Sequence, residues 1–187
     1  RTADRVRAFA EAHRRALTDV RVRVPGGEAG VLHAPVGAAG CYAPGGRFPL
    51  PSSVLMTAIT AKAAGVPSVI VASPRPGPET QAAAALAGAD RLLAIGGAQA
   101  IAALAFGVGD LVACDVIVGP GNAWVTAAKQ LLSGEVRIDM LAGPSELLAL
   151  VDDRADPATV AADLLAQAEH DPEAFPMLVA MSEAFVE

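Results

Sequence analysis

The stretch SVIVASPRPGPETQAAAALAGADRLLAIGGAQ, residues 68–99, decides the fold class. It opens with the β-branched run SVIVA (68–72), passes through a proline-rich turn into an alanine-rich segment, and returns to a second apolar run, RLLAI (91–95). A third run, DVIV (115–118), follows another alanine-rich segment. This alternation of short strands and helices predicts a parallel sheet covered by helices, with right-handed connections.

The elements on either side extend this prediction. Upstream, residues 52–64 are predicted to form another helix, ended by Gly65 and Pro67. The α/β region therefore runs over residues 41–143. It ends before Pro144 and Ser145, where the hydroxyl by default belongs to a turn.

The last part of the chain is organised differently. Residues 146–151 form an apolar strand-like run, and 177–181 form another. Asp156 is a plausible helix N-cap and Pro157 suits the first helical position, so we expect a helix that ends near His170. Its predicted buried stripe is Val160, Leu164, Leu165 and Ala168.

Composition and charge exclude several classes of protein. The chain is 53% hydrophobic and 18% charged with a net charge of −6, which is typical of a globular protein. No apolar run approaches the roughly 20 residues of a membrane helix, and no signal peptide is evident. Cys41 and Cys114 form no C-x-x-C pair, so we expect reduced thiols and a cytoplasmic location.

The N-terminal 23 residues carry seven arginines and raise the possibility of a nucleic-acid-binding arm. An apolar stripe at helical spacing instead favours an amphipathic helix whose arginines face solvent. The overall negative charge and the lack of interleaved aromatic residues also argue against nucleic acid. The stripe consists of Val6, Phe9, Ala10, His13, Leu17 and Val20.

Glycine-rich loops follow the predicted strands, at the edge where α/β sheets bind ligands. Residues 96–99 and 119–122 run from glycine straight into a helix, which suits either a bound pyrophosphate or a tight turn. The G-x-G-x-x-G fingerprint is absent because Trp124 stands where its third glycine belongs. Gln99 and Asn122 can be helix caps or ligand contacts, and Tyr42 can stack on a planar ligand or cover the core.

The segment AQAEHDP (166–172) contains a second candidate site. Gln167 and His170 are three residues apart, so both point to one side of the last helical turn. Two donors at this spacing can chelate a metal, but glutamine is not a usual zinc ligand and two ligands are too few. Residue chemistry alone therefore favours a histidine that interacts with the helix C-terminus.

An ordered series of motifs over about residues 25–180 resembles the histidinol dehydrogenase family. The twelve-residue glycine–alanine block and the AGPSE run are each specific, and their co-occurrence makes a chance match very improbable. In chain order the motifs are YAPGG (42–46), SSVLM (52–56), GGAQAIAALAFG (96–107), GPGNA (119–123), IDMLAGPSE (138–146) and DLLAQAEHD (163–171).

The resemblance implies oxidation of L-histidinol through L-histidinal to L-histidine, with two NAD+ and a bound zinc ion. It implies an open Rossmann-like sheet with helices on both faces (residues 41–143), flanked by parts of a discontinuous α/β domain, residues 1–40 and 144–187. Its implied site residues are, for NAD, Tyr42, Gln99 and Asn122; for substrate, Ser145, Gln167 and His170; and for zinc, Gln167 and His170.

The resemblance assigns no catalytic residue to this chain. The family's Glu–His pair, its other zinc ligands and a histidine from the partner of a homodimer have no counterpart among these residues. We therefore expect a fragment that is inactive alone and prone to association or domain swapping. Cys41 and residues 47–50 depart from the family pattern, which leaves a relative oxidising another amino or sulfonated alcohol as an alternative. A non-catalytic nucleotide-binding module is a further alternative.

Overall fold

The computed structural model describes residues 1–45, 49–141, 146–170 and 174–186. The chain divides into two compact units, Arg1–Ala142 and Gly143–Glu187. The candidate residues Ser145, Arg47 and Phe48 lie outside the described residues. Among the described helices, none is both long enough and apolar enough to cross a membrane.

The first unit is built around a five-stranded parallel sheet. Its order is β5-β4-β3-β6-β7, so the first strand of the sheet lies in the middle and the chain winds outward in both directions. Its elements are α1 (Thr2–Ala16), β1 (Val20–Val24), β2 (Gly27–Val31), β3 (Ala38–Tyr42), α2 (Pro51–Ala63), β4 (Ser68–Ala72), α3 (Pro78–Ala87), β5 (Arg91–Leu93), α4 (Gly97–Phe106), β6 (Val116–Val118), α5 (Ala123–Leu132) and β7 (Arg137–Ile138).

This strand order confirms the predicted open Rossmann-like sheet with helices on both faces. Alternate residues of β4 explain why its sequence is continuously apolar. Val69 and Val71 face the layer formed with α2 and α3, whereas Ile70 and Ala72 face the layer of α4 and α5. A parallel strand covered on both faces must be apolar at every position.

The N-terminal helix was predicted correctly, but its stripe was partly wrong. Val6 and Ala10 face the core, whereas Phe9 is 75% exposed and packs beside the ring of His13. Leu17 follows the helix, and Val20 begins β1, which forms an antiparallel hairpin with β2. The last position of the stripe failed because Val20 belongs to a strand, where alternation replaces helical spacing. Phe9 and His13 lie within the helix but on its exposed side.

The two cysteines are buried on opposite sides of the sheet, and their burial predicts their reactivity. Burial raises the pKa of the Cys41 thiol to about 11 and that of Cys114 to about 12. Both thiols should stay unmodified by dithionitrobenzoate at pH 8 and react fully once the chain is unfolded in urea. Because burial disfavours the thiolates, the free energy of unfolding should fall as pH rises from the ordinary thiol pKa of 9.0 through the raised values of about 11 and about 12. Stoichiometric labelling of the folded chain would contradict the buried positions.

The second unit is a parallel β–α–β segment. It contains β8 (Glu146–Val151), α6 (Pro157–His170) and β9 (Phe175–Ala180), with a short 3-10 helix at Glu183–Phe185. The predicted bounds of β8 and of the helix are confirmed, and Asp156 caps α6 by accepting hydrogen bonds from the amides of Ala158 and Thr159. Interaction with Thr159 lowers the pKa of the Asp156 carboxyl.

The buried stripe of α6 differs from the predicted one. Val160, Leu164 and Gln167 are half-buried, whereas Leu165 is 64% exposed and Ala168 is also exposed. In the second half of the helix, the half-buried positions are therefore Leu164 and Gln167, and the predicted positions Leu165 and Ala168 are exposed. Gln167 consequently lies on the inner side of α6.

The outer face of β8 and β9 should drive self-association. Leu148 and Leu150 on β8 and Phe175 and Val179 on β9 are between 49% and 75% exposed, and a two-stranded parallel sheet with an open apolar face is prone to pairing. Replacing Leu148 and Leu150 by lysine should lower the average mass seen by light scattering at high concentration. Lysine at the exposed Leu131 of α5 is the matched control, and equal behaviour of both variants would contradict this assignment.

Candidate active site

The carboxyl ends of the five parallel strands meet at one edge of the sheet, here called the carboxyl edge. The strand order reverses between β3 and β6, which are neighbours in the sheet although other strands separate them in sequence. In sheets of this kind, ligands bind in the crevice at this reversal. The described segments that flank it are residues 43–45 and 49–50, which follow β3, and residues 119–122, here called the glycine loop.

The glycines of the glycine loop are required by packing. Gly119 has a φ of +112°, and a Cβ there would collide with the carbonyl oxygen of Tyr42. A Cβ at Gly121 would collide with the side chain of Val125. The close approach of the loop to β3 and α5 thus explains why both positions are glycine. These glycines are needed for a tight turn whether or not a ligand binds. Pro120 and Asn122 of the loop remain exposed to solvent.

Asn122 is the N-cap of α5. The side-chain oxygen of Asn122 accepts a hydrogen bond of 3.1 Å from the amide of Val125. Asn122 itself is exposed at the carboxyl edge. Gln99 is the third residue of α4 and is likewise exposed. Its Oε1 folds back over Gly97 at the start of that helix. Both amide side chains therefore lie at the openings of helices that pack on the same face of the sheet.

Tyr42 ends β3 and is only 3% exposed, as part of the core on the α4–α5 side. Its hydroxyl accepts a hydrogen bond of 3.1 Å from the amide of Gly97, the first residue of α4. Tyr42 therefore covers the core edge and joins the end of β3 to the beginning of α4. In this position its ring is not free to stack on a planar ligand.

The start of α4 and the start of α5 give this edge a positive electrostatic character. Each helix presents backbone amides and the positive end of its dipole at the carboxyl edge. Two of these amides already have partners within the protein, since Gly97 donates to the Tyr42 hydroxyl and Val125 donates to Asn122. Such ends attract pyrophosphate groups, provided that the backbone can be approached closely. Gly96 and Gly97 stand at the start of the first helix, and the glycine loop leads into the second.

An ion pair behind the glycine loop was not predicted from the sequence. Lys129 on α5 is 2% exposed and pairs with Asp139, which directly follows β7. Lys129 also donates to the carbonyl of Gly119 at 3.1 Å, and Asp139 accepts from the amide of Gly119 at 2.7 Å. A lysine in register with the buried positions of an amphipathic helix, Val125 and Ala128, was the signal that could have revealed it.

A cavity of about 290 Å³ opens at the carboxyl edge beside the loop that follows β4. Arg75, which lines it, has a left-handed φ of 47° and is the one non-glycine residue in the described ranges with positive φ. Ser73 and Thr80 line the same cavity and are buried. The sequence indicated only a turn here. A larger depression of about 700 Å³ lies on the second unit, but it is open and contains no predicted site residue.

The second candidate site is in the second unit. Gln167 lies on the half-buried side of α6 and His170 is the last residue of that helix. No group of three or more His, Cys, Asp or Glu side chains able to hold a metal occurs within the described residues. Because zinc takes four ligands in structural sites and three protein ligands in catalytic ones, the two predicted donors do not by themselves fit a zinc ion.

The strand order and the glycine loop at the reversal define a doubly wound α/β protein, a class in which ligands bind at this edge of the sheet. The sequence model of the family described as histidinol dehydrogenase matches residues 1–187. The chain belongs to the histidinol dehydrogenase family.

Individual relatives agree over nearly the whole chain. It is 51% identical to a histidinol dehydrogenase of Natronomonas pharaonis, with 99% of this chain and 44% of that protein aligned. The corresponding protein of Thermobifida fusca is 48% identical, over 98% of this chain and 43% of its own length. The crystal structure of histidinol dehydrogenase from Elizabethkingia anophelis superimposes with a TM-score of 0.90 at 36% identity, covering 99% of this chain and 44% of that one. The chain thus spans less than half the length of the relatives it matches.

Proposed function

We propose that this protein provides the NAD-binding part of a histidinol dehydrogenase, which oxidises L-histidinol through L-histidinal to L-histidine in the cytoplasm. The observation that carries the proposal is the carboxyl edge, where the glycine loop and the openings of α4 and α5 lie at the strand-order reversal. Membership of the family supports the substrate. The NAD+ that binds would accept a hydride from the alcohol carbon.

The residues of the carboxyl edge fit this cofactor. The openings of α4 and α5 would receive the pyrophosphate, and the exposed amides of Gln99 and Asn122 would donate hydrogen bonds to its oxygens or to the ribose. Tyr42 would act indirectly, since its hydroxyl fixes Gly97 at the start of α4. The family assignment of Tyr42 to NAD is in this way compatible with its burial.

The second unit would supply part of the substrate and zinc site. In our proposal Ser145, Gln167 and His170 contact the substrate, and Gln167 and His170 also bind zinc. The remaining zinc ligands and the acid–base residues would come from other parts of the enzyme. The assembled enzyme would be a homodimer. Cys41 is fully buried, so its departure from the family pattern bears on core packing and not on the choice of substrate. Of the other departure, residues 47–50, Arg47 and Phe48 lie outside the described residues. Membership of the family is therefore what favours histidinol over another alcohol.

The exposed Trp124, the one tryptophan of the chain, gives a direct test of NAD binding. It lies two residues after Asn122 in the first turn of α5 and is 75% exposed. Titration with NAD+ should change its fluorescence with a saturable dependence. A wild-type signal that stays unchanged, together with no heat of binding in calorimetry, would overturn the proposal.

A cap-preserving substitution localises that binding. Asn122→Asp keeps an N-cap side chain but places a carboxylate beside the expected pyrophosphate. We expect the Kd for NAD+ to rise about tenfold, equivalent to about 1.4 kcal/mol, with the melting temperature nearly unchanged. Asn122→Ser, which also caps without a charge, is the matched control and should bind more tightly than the aspartate variant. Equal affinity of the two variants would place the pyrophosphate elsewhere.

A further inference from the structure

The backbone of Gly119 is held from both sides by one ion pair, in which Lys129 is buried and the side chain of Asp139 is 32% exposed. Its amide donates to Asp139 Oδ2 at 2.7 Å, and its carbonyl accepts from Lys129 Nζ at 3.1 Å. Lys129 and Asp139 also bind each other, and the second carboxylate oxygen accepts from the amide of Met140 at 2.7 Å. Among the described residues, Lys129 is thus a nearly fully buried cation whose donors are directed at the glycine loop.

We propose that Lys129 and Asp139 are positioning residues for the nucleotide: they hold the glycine loop in the conformation that binds NAD+. This inference rests on the proposed function, because it assumes that the nucleotide lies against that loop. With 2% of its side chain exposed, Lys129 cannot contact a ligand itself. Its effect must pass through the carbonyl of Gly119 and through Asp139.

The conformation of Gly119 is the reason that the loop needs this restraint. Gly119 has a φ of +112°. Because glycine can adopt many other backbone conformations, the loop would readily change to one of them if no hydrogen bonds held it. Hydrogen bonds to both its amide and its carbonyl fix the two peptide groups that flank this residue. A loop fixed in the binding conformation avoids the ordering cost that a mobile loop has to meet on binding. The ion pair therefore belongs to the binding site although the loop covers it.

The same fold contains a matched ion pair at the opposite edge of the sheet. Lys62 on α2 pairs with Asp90 at 2.6 Å, and Asp90 accepts from the amide of Val69 at 2.7 Å. This pair also joins a helical lysine, an aspartate beside a strand and a backbone amide. It lies near the amino ends of β4 and β5, far along the strands from the carboxyl edge.

The test compares Lys129→Met with Lys62→Met in the protein as it exists. NAD+ is titrated against Trp124 fluorescence at a temperature where circular dichroism shows each variant to be folded. If the binding conformation falls to about a tenth of the folded population, the Kd of Lys129→Met rises about tenfold. Lys62→Met should keep the wild-type Kd even if its melting temperature falls. Equal Kd values for wild type and Lys129→Met would overturn the inference while leaving the proposed function intact.

A double variant separates positioning from stability. Lys129→Met leaves the Asp139 charge without its partner, so replacing Asp139 by leucine as well should restore part of the lost melting temperature. If the pair positions the loop, the Kd of the double variant is at least as high as that of Lys129→Met, because the amide of Gly119 has then lost its acceptor as well. Recovery of the wild-type Kd along with the stability would show a merely structural pair and overturn the inference. Absence of NAD+ binding by the wild type would overturn the proposed function and this inference together.

Discussion

Replacing Gly119 by alanine should abolish detectable NAD+ binding and lower the free energy of unfolding by about 3 kcal/mol. An L-residue is strained at the φ of +112° that Gly119 adopts. The new methyl group would also collide with the carbonyl oxygen of Tyr42, which is itself part of the β3 backbone. Neither the strain nor the collision can be relieved without moving the glycine loop away from β3.

The consequences for binding and for stability have different origins. Moving the loop breaks the hydrogen bonds of Gly119 to Lys129 and Asp139, which leaves a buried cation poorly satisfied. The same movement displaces Asn122 and the opening of α5, where the pyrophosphate would bind. We therefore expect both losses from one methyl group.

A second glycine near the same helix provides the control. Gly134 follows α5 and does not have a positive φ, and a Cβ added there would meet no atom within 4 Å. Gly134→Ala should bind NAD+ with the wild-type Kd and unfold at nearly the wild-type denaturant concentration. Calorimetry and urea unfolding measure the two quantities. Wild-type NAD+ affinity in Gly119→Ala would show that the loop does not contribute to the site.

The parts of the fold that repeat a local pattern could be predicted from sequence. Short apolar runs followed by a turn rich in glycine or proline and then by a helical segment predicted β4, β5 and β6 to within one or two residues. The α6 helix was predicted from residue 157 to 170 because a capping aspartate and a first-turn proline mark its start. These signals lie within a few residues of the element that they specify.

The hairpin of β1 and β2 shows how a local signal can be misread. The alternation VRVRV and the following Pro25-Gly26 turn are typical of a strand pair, but Val20 was assigned to the helical stripe. Every residue of both strands is exposed, so the two faces of this hairpin do not differ in burial. The alternation of valine and arginine over residues 20–24 is stronger evidence for a strand than the spacing of Val20 alone is for a longer helix.

The candidate site could be predicted only in part, because half of it depends on strand pairing. Gln99 and Asn122 follow directly from glycine loops that open helices. Lys129, Asp139 and Gly119 meet because β7 pairs with β6 with Ile138 opposite Ile117, which brings the residue after β7 beside the residue that follows β6. A two-residue strand such as β7 gives no sequence signal of its own, so this register could not be read beforehand.

The 187-residue chain should bind NAD+ yet oxidise L-histidinol at least about four orders of magnitude more slowly than the Thermobifida fusca relative. The family resemblance assigns the acid–base pair to no residue of this chain, and Gln167 and His170 are too few to hold zinc. Binding the cofactor brings only the hydride acceptor into place. Without a base to take the alcohol proton and to activate water for the second oxidation, the bound NAD+ should not be reduced at an appreciable rate.

The measurement is the rate of NADH formation with saturating L-histidinol and NAD+, in protein made by a host that lacks its own histidinol dehydrogenase. A chimera of residues 1–187 with the part of the Thermobifida fusca protein that this chain does not match should recover turnover, and Asn122→Asp in the chimera should then raise the KM for NAD+. Substantial turnover by the chain alone would contradict the prediction, provided that Gly119→Ala removes it and so traces it to this carboxyl edge. Turnover that Gly119→Ala leaves unchanged would instead belong to a contaminating enzyme. The chimera therefore tests whether the carboxyl edge described here is the cofactor site of a working enzyme, independently of the residues that complete its chemistry.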